Sequence, residues 1–503
     1  VSTTREEFES ARLQGPVVTV LRSVFIDSVS PVALYEHLTA GRPGTFLLES
    51  AEQGGIWSRY SFIGLSSWGC LTEDQRNTVW IDYGLSAEDA FGGELPGTRL
   101  GALDALYARW ASPVNTELPP LTSGLVGYLG WDTVRELENL PNAPIDESGV
   151  PAQSMVFVRD LLVLDHRTSV IHVCTAVLNG GDVEKEWTDA QVRLDSLVAQ
   201  LDTAIPLAPL SPPTVAAPDV HPRTSKADFL SAIETAKDFI REGDVFQVVI
   251  SQRFDTTVTA RAVDVYRMLR ALNPSPYMYL LALERVDGTP FDVVGSSPEA
   301  LVKVENGRVF SHPIAGSRPR GTTPELDVDL AEGLLADEKE RAEHLMLVDL
   351  ARNDLSRVCS PGSVEVTEFM AVERFSHIMH LVSSVEGNLA PGATPIDAFR
   401  ATFPAGTLSG APKPRALEII DELELTSRGV YGGVVGYIGF GGDTDLAIAI
   451  RTAVIVDGTA TVQAGAGLVA DSVSETEFEE TVHKAAAPLR AIASANALRR
   501  AID

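Results

Sequence analysis

Cysteine is scarce in this chain, and what there is lies scattered. Cys70, Cys174 and Cys359 are the three cysteines among 503 residues. Their number is odd and they form no CxxC, so neither a disulfide framework nor a cysteine zinc site is expected. A reducing cytoplasm is the simplest expectation. No apolar run approaches the roughly 18–20 residues that span a bilayer. The opening stretch VSTTREEFESARLQG lacks the basic and apolar regions of a signal peptide, so none is expected. Positive charge is in deficit: 40 Lys and Arg face 69 Asp and Glu, a formal net charge of −29. That balance argues against nucleic acid, whose phosphates would be repelled. G-x-G-x-x-G, a Walker loop and H-E-x-x-H are all missing, which leaves nucleotide cofactors and zinc without support.

What remains is ordinary globular material. The apolar and charged fractions are 45% and 22%, and the length suits two ordinary domains or one large one. A proline-rich stretch, TAIPLAPLSPPTVAAPDVHPRTSK, reads as a connection. The expected division is an N-terminal region over residues 1–202, a linker over 203–224 and a C-terminal region over 225–503. Both regions mix alternating strands (SMVFVRDLLVLD, ATVQAGAG) with amphipathic helices. SKADFLSAIETAKDFIREG is one such helix, with Ser225 and Gly243 near its ends as caps. Strands mostly follow strands, which favours an α+β fold with antiparallel sheets. GLVGYLGWD (124–132) echoes GVVGYIGFG (433–441). The echo means either two buried strands of like composition or related sheets in both halves.

Two acidic pairs stand out. ADEKERAEHLMLVDLARNDLSR (336–357) reads as one helix, largely buried after Leu345. Glu340 and Glu343 share its face with Leu347 and Leu350. Two carboxylates leading into a buried face repel each other and lose solvation, and a divalent cation removes both problems. In so acidic a chain a solvated pair is the plainer alternative. In SETEFEETVHKAAAPLRAIASANALRR, Glu477, Glu480 and Lys484 share a face. Taken locally, Ser474-x-x-Glu477 is a capping box and Glu480–Lys484 an i,i+4 ion pair.

Arg451 sits within LAIAIRTAVIV, read as an apolar strand of about eleven residues. An arginine cannot discharge, so burial demands a carboxylate partner, internal or from a substrate. AGAGL (464–468) either exposes backbone N–H groups to a ligand oxygen or is a tight turn. His380 lies in the alternating strand FSHIMHLVSSVEG, where structural histidines are the commoner kind. FPAGTLSGAPKPRALEII is a Gly/Pro-rich loop that opens a helix.

Together these segments resemble the chorismate-utilising enzymes, and within them the aminase subunits of anthranilate synthases. GDVFQVVISQRF, NPSPYMYLL, PIAGSRPRG, EHLMLVDLARNDLSRV, FPAGTLSGAPK, AIAIRTAV, QAGAGLVADS and EFEETVHKA follow in family order through the C-terminal region. LLESAE and RYSFIG match in the N-terminal region. The resemblance implies a large two-part sandwich of antiparallel sheets packed together, with helices outside. It implies one Mg²⁺ between the Glu pairs, with Glu343 and Glu480 as direct ligands and Glu340 and Glu477 beside them. The metal and the backbone of Gly465, Ala466 and Gly467 would hold the ring carboxylate of chorismate. Tyr431 and Arg451 would hold its enolpyruvyl carboxylate, with Lys484, Gln247 and Thr407 lining the site. Glu299 would protonate the departing ring hydroxyl and His380 would assist elimination of pyruvate.

Relatives that activate water carry a lysine where this chain has Gln247. Aminodeoxychorismate synthases read PIKG, with a lysine nucleophile, where this chain reads Pro313-Ile314-Ala315-Gly316. Both positions point to external ammonia and to anthranilate as product. An aminodeoxychorismate synthase aminase and a non-catalytic amino-acid sensor of the same fold are the alternatives. None of the three cysteine contexts (SWGCLTE, HVCTAV, RVCSPG) is the G-x-C-x-G elbow of a glutaminase. A separate glutamine amidotransferase subunit is therefore expected to supply ammonia. The resemblance also places a tryptophan pocket for feedback inhibition at Glu49, Ser50, Pro276, Tyr277 and Met278.

Overall fold

The computed structural model describes residues 2–26, 29–50, 59–203, 211, 217–374 and 378–499. Ala51 and Glu52 of LLESAE, Phe375–His377 of FSHIMH, most of the proline-rich stretch and the last four residues lie outside the described residues.

The strands form one antiparallel hydrogen-bonded system that folds over itself into two layers. One layer runs from Gln247–Thr257 through Thr459–Leu468, Thr452–Val456, Pro290–Ser297, Tyr277–Glu284 and Thr45–Glu49 to Tyr60–Asp74. The long strands Tyr60–Asp74 and Gln153–Asp165 pair along their length and lead into the other layer. That layer continues through Gly124–Leu129, Val434–Gly439, Thr444–Ile448 and Ala300–Glu305 to Arg308–Ser311 and Ile378–Asn388. Central strands such as Gly124–Leu129, Val434–Gly439 and Gln153–Asp165 are buried on both faces, one turned to the opposite layer and the other to the helices. Phe46, Phe62, Tyr128, Val156, Tyr279 and Tyr437 fill the space between the layers. Helices Arg99–Trp110, Pro395–Thr402 and Lys413–Leu423 cover one outer face. Helices Pro31–Thr39, Ala262–Leu272 and Ser474–Asn496 cover the other. This is the α+β sandwich with helices outside.

The two echoing segments turn out to be neighbours. Gly124–Leu129 pairs with Val434–Gly439, and Gly127 sits opposite Gly436. Each glycine has a strand carbonyl, of Ser154 or Asp445, where a Cβ would be. Thr45–Glu49 likewise pairs with Tyr277–Glu284, so strand pairing joins the N- and C-terminal regions. His221 and Pro222, within the proline-rich stretch, pair with Asp255 and Phe254.

Three local readings need correction. LAIAIRTAVIV is not one strand: Thr444–Ile448 and Thr452–Val456 are separate, and Arg451 between them has a left-handed φ of 51°. The acidic helix starts at Glu338, with Asp337 as its N-cap accepting from the N–H groups of Lys339 and Glu340. Nor is that helix buried all round after Leu345, since Leu345, Asp349 and Arg352 are exposed. Ser474 is no capping box. The last helix has Val473 at its N-cap with no side-chain cap bond, and the Ser474 hydroxyl donates to Glu234. The helix Lys226–Glu242 is capped by Ser225 and Gly243 as the sequence predicts.

Candidate active site

A cavity of about 490 Å³ opens where strands Gln247–Thr257 and Thr459–Leu468 meet the two acid-bearing helices. Its position follows from the sheet. Thr459–Leu468 pairs along its whole length with Gln247–Thr257, but only Thr459–Val462 pairs on the other side, with Thr452–Val456. Beyond Val462 that second edge is open. Gly465 uses it: its carbonyl accepts from Lys484 Nζ at 3.0 Å, and its N–H donates to the Tyr431 phenol oxygen. Gly467, two residues on, presents its backbone to the same side. A Cβ at Gly465 would stand 2.8 Å from the Tyr431 hydroxyl, and one at Gly467 would stand 2.8 Å from Gln247 Nε2. AGAGL is therefore strand with an exposed edge, not a turn. Ala466 alternates the other way and packs in the core; it does not line the cavity.

The other expected residues converge. Glu299, His380, Thr407, Tyr431, Arg451, Lys484 and Gln247 line this one cavity, as do Glu340, Glu343, Glu477 and Glu480. Glu299 accepts a 2.8 Å hydrogen bond from Thr407 Oγ1. Burial pushes its carboxyl up to about 7, against the pull of that bond and of Lys484 and Arg451. A carboxylic acid protonated near neutrality is what a general acid requires. His380 Nδ1 lies 2.9 Å from the Gly316 carbonyl. That bond fixes the proton on Nδ1 and the basic lone pair on Nε2. Burial lowers the His380 pKa, so the ring is neutral at pH 7. Burial also lowers the pKa of Arg451, opposed by Glu299. Among the described residues no carboxylate forms an ion pair with Arg451, so its charge is available to an anion in the cavity.

The carboxylates are strained electrostatically. Glu343 is pushed up by burial and then by Glu340, and Glu480 adds to the effect. Glu477 is pushed up by burial and by Glu480, while a hydrogen bond from Ser472 opposes this. Among the described residues no three His, Cys, Asp or Glu side chains are gathered tightly enough to hold a metal as they stand. Instead Arg318 Nη1 lies 3.4 Å from Glu340, and Lys484 pairs with Glu480 at 2.6 Å. The donor set nevertheless fits a hard cation: four carboxylates, two of them destabilised by like charge, at the mouth of one cavity.

Lys339, Gln463 and Ser472 also line this cavity and escaped the sequence reading. The charge of Lys339 bears on both Glu343 and Glu477. Gln463 could have been found, because it shares the period-two face of Gly465 and Gly467. Ala315 and Gln247 line the same cavity.

A second cavity of about 80 Å³ gathers all five residues expected to bind tryptophan: Glu49, Ser50, Pro276, Tyr277 and Met278. Glu49 accepts from the Tyr266 hydroxyl at 2.5 Å and pairs with Arg270 at 3.3 Å. Asp445, not anticipated, joins them. Burial pushes it up to about 6, although the Tyr277 hydroxyl donates to it. An acid inside the apolar run TDLAI was the available signal. All three cysteines are buried, with thiols pushed up by burial to about 12, 12 and 11 for Cys70, Cys174 and Cys359. None is a reactive thiolate.

Comparison with known proteins agrees with this geometry. The family model described as chorismate binding enzyme matches residues 89–490. Anthranilate synthase component 1 of Arthrobacter globiformis is 50% identical, over 98% of this chain and 93% of its own. That of Mycolicibacterium smegmatis is 48% identical, over 99% and 95%. The crystal structure of anthranilate synthase component I from Streptococcus pneumoniae superposes with a TM-score of 0.75 at 38% identity, covering 86% of this chain and 93% of that one. A menaquinone-specific isochorismate synthase from Escherichia coli, 18% identical, shares the fold with a TM-score of 0.68. The chain belongs to the chorismate-binding enzymes, in the family of anthranilate synthase component I.

Proposed function

We propose that the protein is the aminase subunit of an anthranilate synthase, a lyase of tryptophan biosynthesis. It converts chorismate and ammonia to anthranilate and pyruvate. The observation that carries this reading is the convergence, in one cavity, of a protonatable Glu299, a neutral His380 and an unpaired Arg451. Arg451 and the Tyr431 hydroxyl bind the enolpyruvyl carboxylate. The exposed backbone edge at Gly465 and Gly467 receives the ring carboxylate. Glu299 gives its proton to the departing ring hydroxyl as ammonia adds. His380, through Nε2, assists the proton movement that releases pyruvate. Ammonia is the nucleophile because Gln247 cannot act as a base toward water and Ala315 cannot attack.

Mg²⁺ is the cofactor of this reading. Glu343 and Glu480 would hold it directly, with Glu340 and Glu477 beside them. When bound, it makes an acidic pocket receptive to a carboxylate.

A separate glutamine amidotransferase subunit supplies ammonia in a hetero-oligomer, since no cysteine of this chain is fit for glutamine hydrolysis. Residues 1–202 form the regulatory region, 203–224 the connection and 225–503 the catalytic region. Tryptophan binds the second cavity and inhibits. No described helix is long and apolar enough to cross a membrane. Three buried, unpaired thiols suit the cytoplasm.

The purified chain should release anthranilate and pyruvate from chorismate with ammonium and Mg²⁺, identified by mass spectrometry, and should be inactive with glutamine. Retention of the chorismate pyruvyl group, or formation of aminodeoxychorismate, would overturn the reading.

A further inference from the structure

One charged group beneath the cavity has no place in the chemistry above. Arg428 is 4% exposed. Its guanidinium spends its donors on four acceptors: Glu424 Oε1 at 2.7 Å, Glu424 Oε2 at 2.9 Å, the Leu408 carbonyl at 2.6 Å and the Val249 carbonyl at 2.8 Å. Its flat faces lie 4.2 Å from the Trp131 ring centroid and 5.6 Å from that of Tyr431. Glu424 also accepts from the N–H and the hydroxyl of Ser251, each at 2.8 Å. The Ser251 hydroxyl in turn accepts from Gln463 Nε2 at 2.8 Å.

Four members of this network sit at the cavity wall. Val249, Leu408, Tyr431 and Gln463 line it, and Leu408 follows Thr407, which holds Glu299. A salt bridge this deeply buried adds little net stability, since desolvation offsets its attraction. A planar fork that ties two carbonyls, a carboxylate and two aromatic faces is instead a device for fixing geometry. The Tyr431 oxygen already accepts the Gly465 N–H. Its own proton is therefore the one it can offer to a ligand, provided the ring cannot swing away.

We infer that Arg428 is a positioning residue for substrate recognition. Clamped by Glu424, it locks the Tyr431 ring and the Val249 and Leu408 walls so that the Tyr431 hydroxyl donates to a substrate carboxylate. The inference rests on the chorismate reading.

The test is a double-mutant cycle on the chorismate KM. Y431F in the native background should raise KM about tenfold, the loss of one hydrogen bond to a charged group. Arg428→Met with Glu424→Leu removes both charges together at similar volume, so the fold survives where the single loss would strand a buried charge. R428K, which keeps the charge but not the fork, is the second background. Both should raise KM with melting temperatures near that of the native chain. In either folded background Y431F should then cost no more than about twofold, because the hydroxyl has already lost its aim. If Y431F costs the same factor with and without Arg428, or if the backgrounds bind chorismate as the native chain does, the inference is wrong. A merely structural Arg428 would lower the melting temperature and the active fraction without moving KM or the coupling. Failure of the native chain to turn over chorismate would instead overturn the chorismate reading.

Discussion

Glu299 carries the most consequential charge in the cavity. Its carboxyl is pushed up to about 7 by burial. In its proposed role of general acid it works protonated, so turnover should fall as pH rises through about 7. The Thr407 hydrogen bond favours the ionised form. Thr407→Val should therefore move this basic limb to higher pH, which a pH–rate profile would show. Glu299→Gln should lower kcat by about 10²–10⁴-fold, the usual worth of a positioned acid. Stability should move the other way. A carboxyl whose folded pKa is raised contributes fully below its unfolded pKa, and that contribution is lost as pH rises through the folded value. The Gln variant should thus melt above the native chain at pH 8 and lose that advantage below pH about 4. Equal melting at pH 8 would mean that Glu299 is better solvated than its position implies.

The Glu-x-x-Glu pairs make a second test at the level of single residues. A ligand that binds only the folded state raises its melting temperature. Mg²⁺ should stabilise the native chain, and Glu343→Gln or Glu480→Gln should abolish that increment together with turnover. Glu340→Gln and Glu477→Gln should weaken it less. Calorimetric melts with and without Mg²⁺ decide the point. An undiminished increment in Glu343→Gln and Glu480→Gln would remove both from the metal.

At the scale of elements, the proposed site depends on one strand having a neighbour along only some of its length. Thr459–Leu468 loses its second partner after Val462, and glycines occupy the open edge. A Cβ at Gly465 would meet the Tyr431 hydroxyl at 2.8 Å and the Ile250 carbonyl at 3.1 Å. The carbonyl is fixed backbone and cannot yield. Gly465→Ala should raise the chorismate KM at least about tenfold with a modest loss of stability. Gly467→Ala meets only the flexible end of Gln247 and should be milder. A chorismate KM unchanged in both variants would show that the glycines serve only strand packing. Elements such as these were partly legible beforehand. Period-two alternation exposed the strands, and Ser225 and Gly243 marked their helix, because those signals are local. The break at Arg451 was not legible: LAIAIRTAVIV is apolar on both sides of Arg451 and Thr452, and nothing in its composition announces a left-handed arginine. Ser474 was misread for a related reason. Its partner, Glu234, lies 240 residues away, so a local motif lost to a distant acceptor. The Glu-x-x-Glu pairs were ambiguous locally and acquired a proposed metal role only from the ordered motifs around them.

Across the whole molecule, the two cavities are joined by the strands that build them. Pro276 lines both. Tyr277, in the second cavity, sits opposite Ser297, two residues from Glu299. Asp445 begins the run that reaches Ile448, whose N–H donates to the Glu299 carbonyl at 2.9 Å. Under the proposed reading, a ligand that spreads the second cavity should therefore push on the backbone holding Glu299. Packed sheets transmit such a push because their interiors have few voids to absorb it. Coupling of this kind is reciprocal: if tryptophan weakens chorismate binding, chorismate must weaken tryptophan binding by the same factor. Native chain titrated with tryptophan should show a chorismate KM that rises with tryptophan. Without ammonia, calorimetric tryptophan affinity in the presence of chorismate and chorismate affinity in the presence of tryptophan should fall by the same factor. Ser50→Phe, which fills a cavity of about 80 Å³ with a ring, should abolish tryptophan binding and inhibition while leaving turnover with ammonium close to native. Inhibition that survives Ser50→Phe unchanged would place the tryptophan site elsewhere. Loss of turnover together with inhibition would show that the two cavities cannot be separated, and that the second belongs to the catalytic structure.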